Sequence, residues 1–366
     1  MRGREMSYSG NYNAVDRMLH RFAFFSPFVQ KALSEVENDL FKRDISAIQS
    51  HNEVFITGLP RAGTTLMLEL LFATGDFRTF TYREMPFILA PLLWNKLSRA
   101  FRKNVATQER AHGDGMEISV DSPEAFDEVI WLSYLGSKIV CDDRLAPVSA
   151  EDVDEEFIDA FRNCVRKLLA LPQEVPAAAS LRYLSKNNAN ISRIEALRKV
   201  FPTSKVLIIF RHPLNHIGSL SRQHERFSIE HANDNFSRKY MEWIGHYEFG
   251  GNFKPIDFAG WLGQSGPPAH IDHAFWLKYW NAAYTHALEH NLDNVHFVDF
   301  DGLLRDGVDS LVRIAEVLGL TDTSALIKAG KILRAPTTQP VESDSCAQQD
   351  WERAQEIHSR LISLAV

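Results

Sequence analysis

The sequence predicts a three-layer α/β/α fold: a central parallel sheet, helices on both faces, and helical insertions. Three observations predict it. Short apolar runs at Val54–Thr57, 181–185 and Lys205–Phe210, with a fourth at 295–300, have the length of buried strands. Each run is followed by a polar or glycine-containing turn and then by helical periodicity, the pattern of strands joined by crossover helices. Of the 366 residues, 45% are apolar and 24% charged, the usage of an ordinary globular chain. That excludes a disordered, collagenous or disulfide-scaffold protein.

The expected organisation is an N-terminal helical segment over 1–50 packed on the core, a main domain over 51–335, and a C-terminal tail with a helix over 336–366. Residues 14–45 read as amphipathic helix, with Phe22, Phe24, Phe25 and Phe28 expected against the core rather than a membrane or partner. Thr64–Phe72 is a helix with Leu66 and Leu70 on its apolar side and Gly75 at its end. DSPEAFDEVIW (121–131) begins like a capped helix, with Asp121 or Ser122 at the cap and Pro123 in the first turn. Its acidic residues Glu124, Asp127 and Glu128 are expected on a solvated face. Asn190 is placed to cap a helix whose Ile191, Ile194, Leu197 and Val200 share one side. Segment 225–271 is dense in aromatics and glycine, including Phe227, Trp243, Tyr247, Phe253 and Trp261. Long irregular insertions are usually lids or binding loops, and the aromatic content argues against disorder. Val308, Leu311, Val312, Ala315 and Leu318 form a last stripe, stopped by Gly319.

The net charge is −7, so global charge gives no nucleic-acid footprint, and an anion must be held by a local basic site. Cys141, Cys164 and Cys346 are far apart and lack zinc-ligand spacing. They read as free thiols in a reducing cytoplasm. No run approaches the roughly 18 apolar residues of a membrane span. The start, MRGREMSYSGNYN, lacks the apolar stretch of a signal peptide. A cytoplasmic chain with no metal, no nucleic-acid partner and no transmembrane segment is expected.

The strongest motif is VFITGLPRAGTTLMLELL (54–71). A buried strand runs through Gly58-Leu59-Pro60-Arg61-Ala62-Gly63-Thr64-Thr65 into a helix, which is the context of a phosphate cradle. Gly58 and Gly63 allow tight turning and close ligand approach. Arg61 supplies planar donors, and Thr64 and Thr65 supply hydroxyls. The glycine spacing is that of a Walker A loop, but Thr64 stands where the phosphate-gripping lysine belongs. The strand 205–210 runs into Arg211 rather than a Walker B aspartate. Magnesium-dependent ATP or GTP hydrolysis is disfavoured.

This loop resembles the 5′-phosphosulfate loop of the sulfotransferases that use 3′-phosphoadenosine-5′-phosphosulfate (PAPS). Its arginine form is similar to the bacterial and Golgi-type branches. The resemblance spans roughly 54–320 and implies a fold related to P-loop kinases, with PAPS as co-substrate and no metal. KVLIIFRHPLNHIGSL (205–220) looks like the family's 3′-phosphate motif, an arginine at a strand end and a serine eight residues on, here Arg211 and Ser219. In YLSKNNAN (183–190), Lys186 matches the lysine that contacts the transferring sulfuryl group and its leaving oxygen. The cytosolic branch carries a histidine base two residues later; this chain has Asn188 there. The Golgi-type branch uses a glutamate just after the first helix, which points to Glu84 in FRTFTYREMPF as base. His212, His216 and His224 are expected to be structural or solvent-facing.

Trp276, Tyr279 and Tyr284 are the candidates to stack on adenine, and Lys331 and Arg334 to add charge at the 3′-phosphate. The insert 225–271 becomes an acceptor-site insert on this reading. The implied reaction is in-line sulfuryl transfer to a hydroxyl, or secondarily an amine, of a small-molecule, carbohydrate or lipid-like acceptor. The alternatives are a small-metabolite kinase and a non-catalytic nucleotide-binding protein on the same fold.

Overall fold

The computed structural model describes residues 14–98, 108–109, 117–118, 122–172, 181–333 and 341–366. Helices α1 (Ala14–Ala23), α2 (Pro27–Leu40) and α3 (Lys42–Ser46) lead into β1 (Val54–Thr57) and α4 (Thr64–Phe72). Next come β2 (Phe77–Arg78), α5 (Pro91–Ser98) and a small antiparallel ladder of β3 (Gln108–Glu109) and β4 (Glu117–Ile118). Helices α6 (Glu128–Ile139) and α7 (Glu155–Ala170) precede β5 (Arg182–Lys186), α8 (Ile194–Val200) and β6 (Lys205–Phe210). Helices α9 (Pro213–Asn233), α10 (Asn235–Trp243) and α11 (His273–Glu289) lead to β7 (Val295–Asp299). The described chain ends with α12 (Phe300–Asp306), α13 (Val308–Leu318), α14 (Ser324–Ala329) and α15 (Gln348–Leu364).

The central sheet is parallel, in the order β2-β5-β1-β6-β7. Its side chains alternate between two apolar layers, as strand geometry requires. Phe55, Tyr183, Ile208 and Phe297 face one layer, built mainly from α6, α7, α8, α9 and α11. Ile56, Leu184, Ile209 and Val298 face the other, built from α4, α13 and α14. The three-layer expectation therefore holds. The edge strand β2 was not expected, because two residues make no apolar run. No described helix is long and apolar enough to cross a membrane.

Helix α2 and the last described residues are tied to this core. Lys167 on α7 is buried and donates to Ser34 Oγ on α2 at 2.7 Å and to Leu89 O at 3.2 Å. It lies 4.0 Å from Glu37, whose carboxyl burial pushes up to about 7. At the other end, Ala365 bridges to Phe297, and the Val366 N–H donates to Phe297 O at 3.0 Å.

Several local expectations are corrected. The helix over 14–45 is three helices, broken where Ser26 caps α2 and Pro27 starts it. Phe22, Phe25 and Phe28 are exposed, Phe22 keeping an edge contact with the buried Phe87, while Phe24 stacks on Trp243 at 6.0 Å. Helix α6 starts at Glu128, because Pro123 bridges to Thr81 and the Glu124 N–H donates to Phe80 O. Of the two expected caps, Asp121 lies outside the described residues. Asn190 caps nothing: it is buried in a 3-10 turn, and Arg193 precedes α8. The irregular reading of 225–271 holds only beyond Trp243, since α9 and α10 fill its first part.

The sheet positions one loop above all. Gly58 leaves β1 at φ 144°, and a Cβ there would lie 2.3 Å from the Ile209 carbonyl oxygen of β6. Only glycine tolerates both the backbone region and that approach. Gly58→Ala is expected to destabilise the protein by more than about 1 kcal/mol. An unchanged denaturation midpoint would contradict this packing.

Candidate active site

The loop after β1 turns on two left-handed residues, Arg61 at φ 69° and Gly63 at φ 102°. Such a backbone swings successive N–H groups to one side, making a nest for an anion. Gly63 is held against Phe300, where a Cβ would meet the ring at 2.2 Å. It also occupies the cap position of α4, where no side chain caps the helix among the described residues. The first N–H groups of α4 thus have no side-chain cap among the described residues, and the helix dipole there favours negative charge. Ala62 is buried in the loop; Thr64 is buried and Thr65 half-buried at the helix start.

Strands β5 and β6 flank β1, so their ends flank this loop. Lys186 is the residue registered beside Ile56, at the end of β5. It is nearly buried, and its Nζ lies 4.0 Å from Glu124 Oε1. Arg211 follows the end of β6 on the opposite side. Its Nη1 donates to Arg61 O at 3.3 Å, and its Nε lies 3.6 Å from Asp301. Arg61 Nε in turn donates to Ser219 Oγ on α9 at 3.4 Å. Two motifs about 150 residues apart in sequence therefore meet at one end of the sheet.

Beneath Lys186 lies a buried polar layer that corrects the reading of Glu124, Asp127 and Glu128 as a solvated face. All three are buried. Glu128 accepts from Arg193 at 2.6 and 2.8 Å and from Asn187 Nδ2 at 2.7 Å. Asp127 accepts from Ser185 Oγ at 2.7 Å. The residues on either side of Lys186 are thus fixed by carboxylates of a different segment. Such networks hold charges rigidly only when their members are paired.

Glu84 is buried within its own turn. Its Oε2 accepts from the Thr81 N–H at 2.7 Å and from Thr81 Oγ1 at 2.8 Å. The carboxylate that pairs with Lys186 is Glu124. His216 is buried with Nε2 2.8 Å from Pro60 O. Its pKa is lowered to about 3, by burial first and by Arg211 second, so it is a neutral support of the loop. Trp276 and Tyr284 are fully buried in the core, and Tyr279 is nearly so. Lys331 is exposed, and Arg334 lies outside the described residues.

A cleft opens beside the loop. Leu59 and Pro60 of the loop line it, together with Asn187, Asn188, Tyr247 and Tyr279. Segment 244–256, part of the aromatic stretch, supplies much of its wall. Here a chain of hydrogen bonds runs from the loop outward. Thr64 Oγ1 donates to Asn188 Oδ1 at 3.1 Å, Asn188 Nδ2 to Glu248 Oε1 at 3.2 Å, and His246 Nδ1 lies 3.1 Å from Glu248 Oε2. Nothing in the sequence singles out His246 or Glu248, because Asn188, which joins Glu248 to the loop, is 60 residues from it. Among the described residues, no group of His, Cys, Asp and Glu is arranged to hold a metal.

The buried layer makes stability depend on pH. Asp127 is pushed up to about 7 from 3.8, by burial first, with Glu128 adding and Ser185 and Arg193 opposing. Between those values the native state binds more protons than the unfolded chain, so this group's contribution falls as pH rises. Asp127→Asn should therefore gain stability relative to the wild type between about pH 5 and about pH 8. Urea titrations at both pH values check this; a constant difference would contradict it.

No curated protein sequence gives a significant match. Among solved structures, sulfotransferase STF9 from Mycobacterium avium is similar over 96% of this chain and 86% of its own, at 15% identity and a TM-score of 0.54. Sulfotransferase STF1 from Mycobacterium tuberculosis H37Rv is matched over 96% and 87%, at 14% identity and a TM-score of 0.48. The first likeness shows the fold. A family model described as "Sulfotransferase family" matches residues 53–254, from the strand before the loop to the cleft segment. That match takes in more than half of the 366 residues, and the chain belongs to the sulfotransferase family.

Proposed function

We propose that this protein transfers a sulfuryl group from PAPS to a hydroxyl, or secondarily an amine, of a small-molecule, carbohydrate or lipid-like acceptor. The observation that carries the reading is the convergence of Arg61, Arg211 and Ser219 on the loop after β1. A 3′,5′-substituted adenosine carries anions at two ends, and the two motifs offer one site for each. The residues suit such a ligand. Gly58 and Gly63 admit no side chain, the start of α4 is uncapped among the described residues, and the buried Arg211 Nε has no hydrogen-bond partner there.

In this reading the amides of the loop, Arg61, Thr64 and Thr65 hold the 5′-phosphosulfate. Arg211 and Ser219 hold the 3′-phosphate and so set the register. The acceptor oxygen attacks sulfur from the cleft. The new S–O bond forms as the bond from sulfur to the bridging oxygen breaks, and the electron pair leaves with the 5′-phosphate. Lys186 stabilises the charge that develops on that oxygen. Positioning and electrostatics supply most of the acceleration, as in phosphoryl transfer. Glu84, expected from the sequence to be the base, serves in this reading to hold its own turn through Thr81.

The acceptor is read from the cleft wall. Tyr247, Tyr279 and Ile256 offer apolar surface, while His246, Glu248 and Lys254 add polar groups to the same lining. Such a mixture suits a partly apolar molecule presenting one hydroxyl.

Incubation with radiolabelled PAPS and a panel of phenols, alcohols and sugars is expected to transfer the label. Lys186→Ala should lower kcat by about 10²–10³-fold and change the donor KM little, as for other single groups that stabilise developing charge. Label transfer from γ-labelled ATP with magnesium, and none from PAPS, would overturn the reading.

A further inference from the structure

We propose that His246, oriented by Glu248, is the proton acceptor of the transfer; the inference rests on the sulfuryl-transfer reading above. Three observations carry it.

The first is placement. Gly245, at φ 79°, brings the chain so close to α6 that a Cβ would meet Glu128 Cγ at 2.3 Å. The His246 N–H donates to Met241 O at 2.8 Å, and the residue lines the cleft beside the loop. The second is orientation. An ionised carboxylate only accepts hydrogen bonds. Glu248 Oε2, 3.1 Å from Nδ1, therefore selects the tautomer with the proton on Nδ1 and the lone pair on Nε2. A base held by a carboxylate is the arrangement that activates hydroxyl nucleophiles elsewhere. The third is connection. Glu248 is held through Asn188 to Thr64, a residue of the anion-binding loop. Here the amide links the loop to a histidine supplied by a distant segment.

The surrounding charges fit the role. Burial acts to lower the pKa of His246; Glu248, by charge and hydrogen bond, and Glu124 act to raise it, Lys186 opposes, and the net direction is up. Glu248 stays ionised: burial acts against its charge, but His246 and Lys186 outweigh that. Glu128 and Lys254 also line the cleft. Glu128 is committed to Arg193 and Asn187, and Lys254 to the Cys141 carbonyl. In the step itself, the acceptor's proton passes to His246 Nε2 as the S–O bond forms. The imidazolium is stabilised by Glu248 and later returns its proton to water.

The test is a histidine-ring NMR titration of the full chain, with and without 3′,5′-adenosine bisphosphate. His246→Gln assigns the signal, and the remaining histidines report folding. The wild-type His246 midpoint is expected above 6.5, the ordinary histidine value, and higher still with bisphosphate bound beside it. Glu248→Gln should lower the midpoint by about one unit or more, because burial remains and the carboxylate is gone. Bisphosphate that binds without moving the His246 signal would overturn the inference and leave the donor reading standing. So would a midpoint unchanged in Glu248→Gln. Failure of the bisphosphate to bind at all would overturn the donor reading itself, and the inference with it.

Discussion

The site depends on how closely one loop can approach one strand. β1 lies between β5 and β6, and the chain leaving it passes against the backbone of β6 at Ile209. A side chain at Gly58 would fill that contact, and one at Gly63 would strike Phe300. Because both positions are bare, the loop settles low between the neighbouring strand ends. Lys186 then stands on one side of it and Arg211 on the other. Parallel strands point their carboxyl ends the same way, so three separate stretches of sequence deliver their polar residues to one edge. The chemistry proposed for this edge follows from that geometry more than from any single side chain.

A buried charge is costly unless it is paired, and this protein places several beneath its site. Glu128 meets Arg193 in two hydrogen bonds and holds Asn187 as well; Asp127 holds Ser185. These contacts bracket Lys186 in sequence and support it in space. A lysine on a free strand end would sample many rotamers. Here its neighbours are fixed, and Glu124 provides a counter-charge 4.0 Å away. For the reaction proposed above, such preorganisation would remove reorganisation from the transfer step, which is where electrostatic catalysis gains most.

The sheet was legible in the sequence because buried strands are short, apolar and followed by turns. The loop was legible because Gly58, Arg61, Gly63 and the two threonines lie in one stretch. The spacing of Arg211 and Ser219 was visible in the sequence, but the contact that each makes with Arg61 was not. The acidic trio was misread for a physical reason. Charged residues near a helix start normally face water, and distant partners draw these inside: Ser185 meets Asp127, Arg193 and Asn187 meet Glu128, and Lys186 and the Tyr82 hydroxyl meet Glu124. Asn190 looked like a cap for the same kind of reason: local pattern favours it, and tertiary burial overrides it. The exposed Phe22, Phe25 and Phe28 show the converse, since an aromatic stretch does not fix which side faces inward. His246 and Glu248 had no local signature at all. Their place beside the loop appears only when the chain folds segment 244–256 against β5 and α6.

The account's central claim is that the two strand ends together recognise a 3′,5′-substituted adenosine. Calorimetric titration with 3′,5′-adenosine bisphosphate tests it most directly, with ATP plus magnesium run in parallel, on the wild type and on Arg211→Ala. Micromolar binding of the bisphosphate that collapses in the variant, with ATP weak throughout, is the predicted result. ATP binding that survives the substitution, with no binding of the bisphosphate, would contradict it.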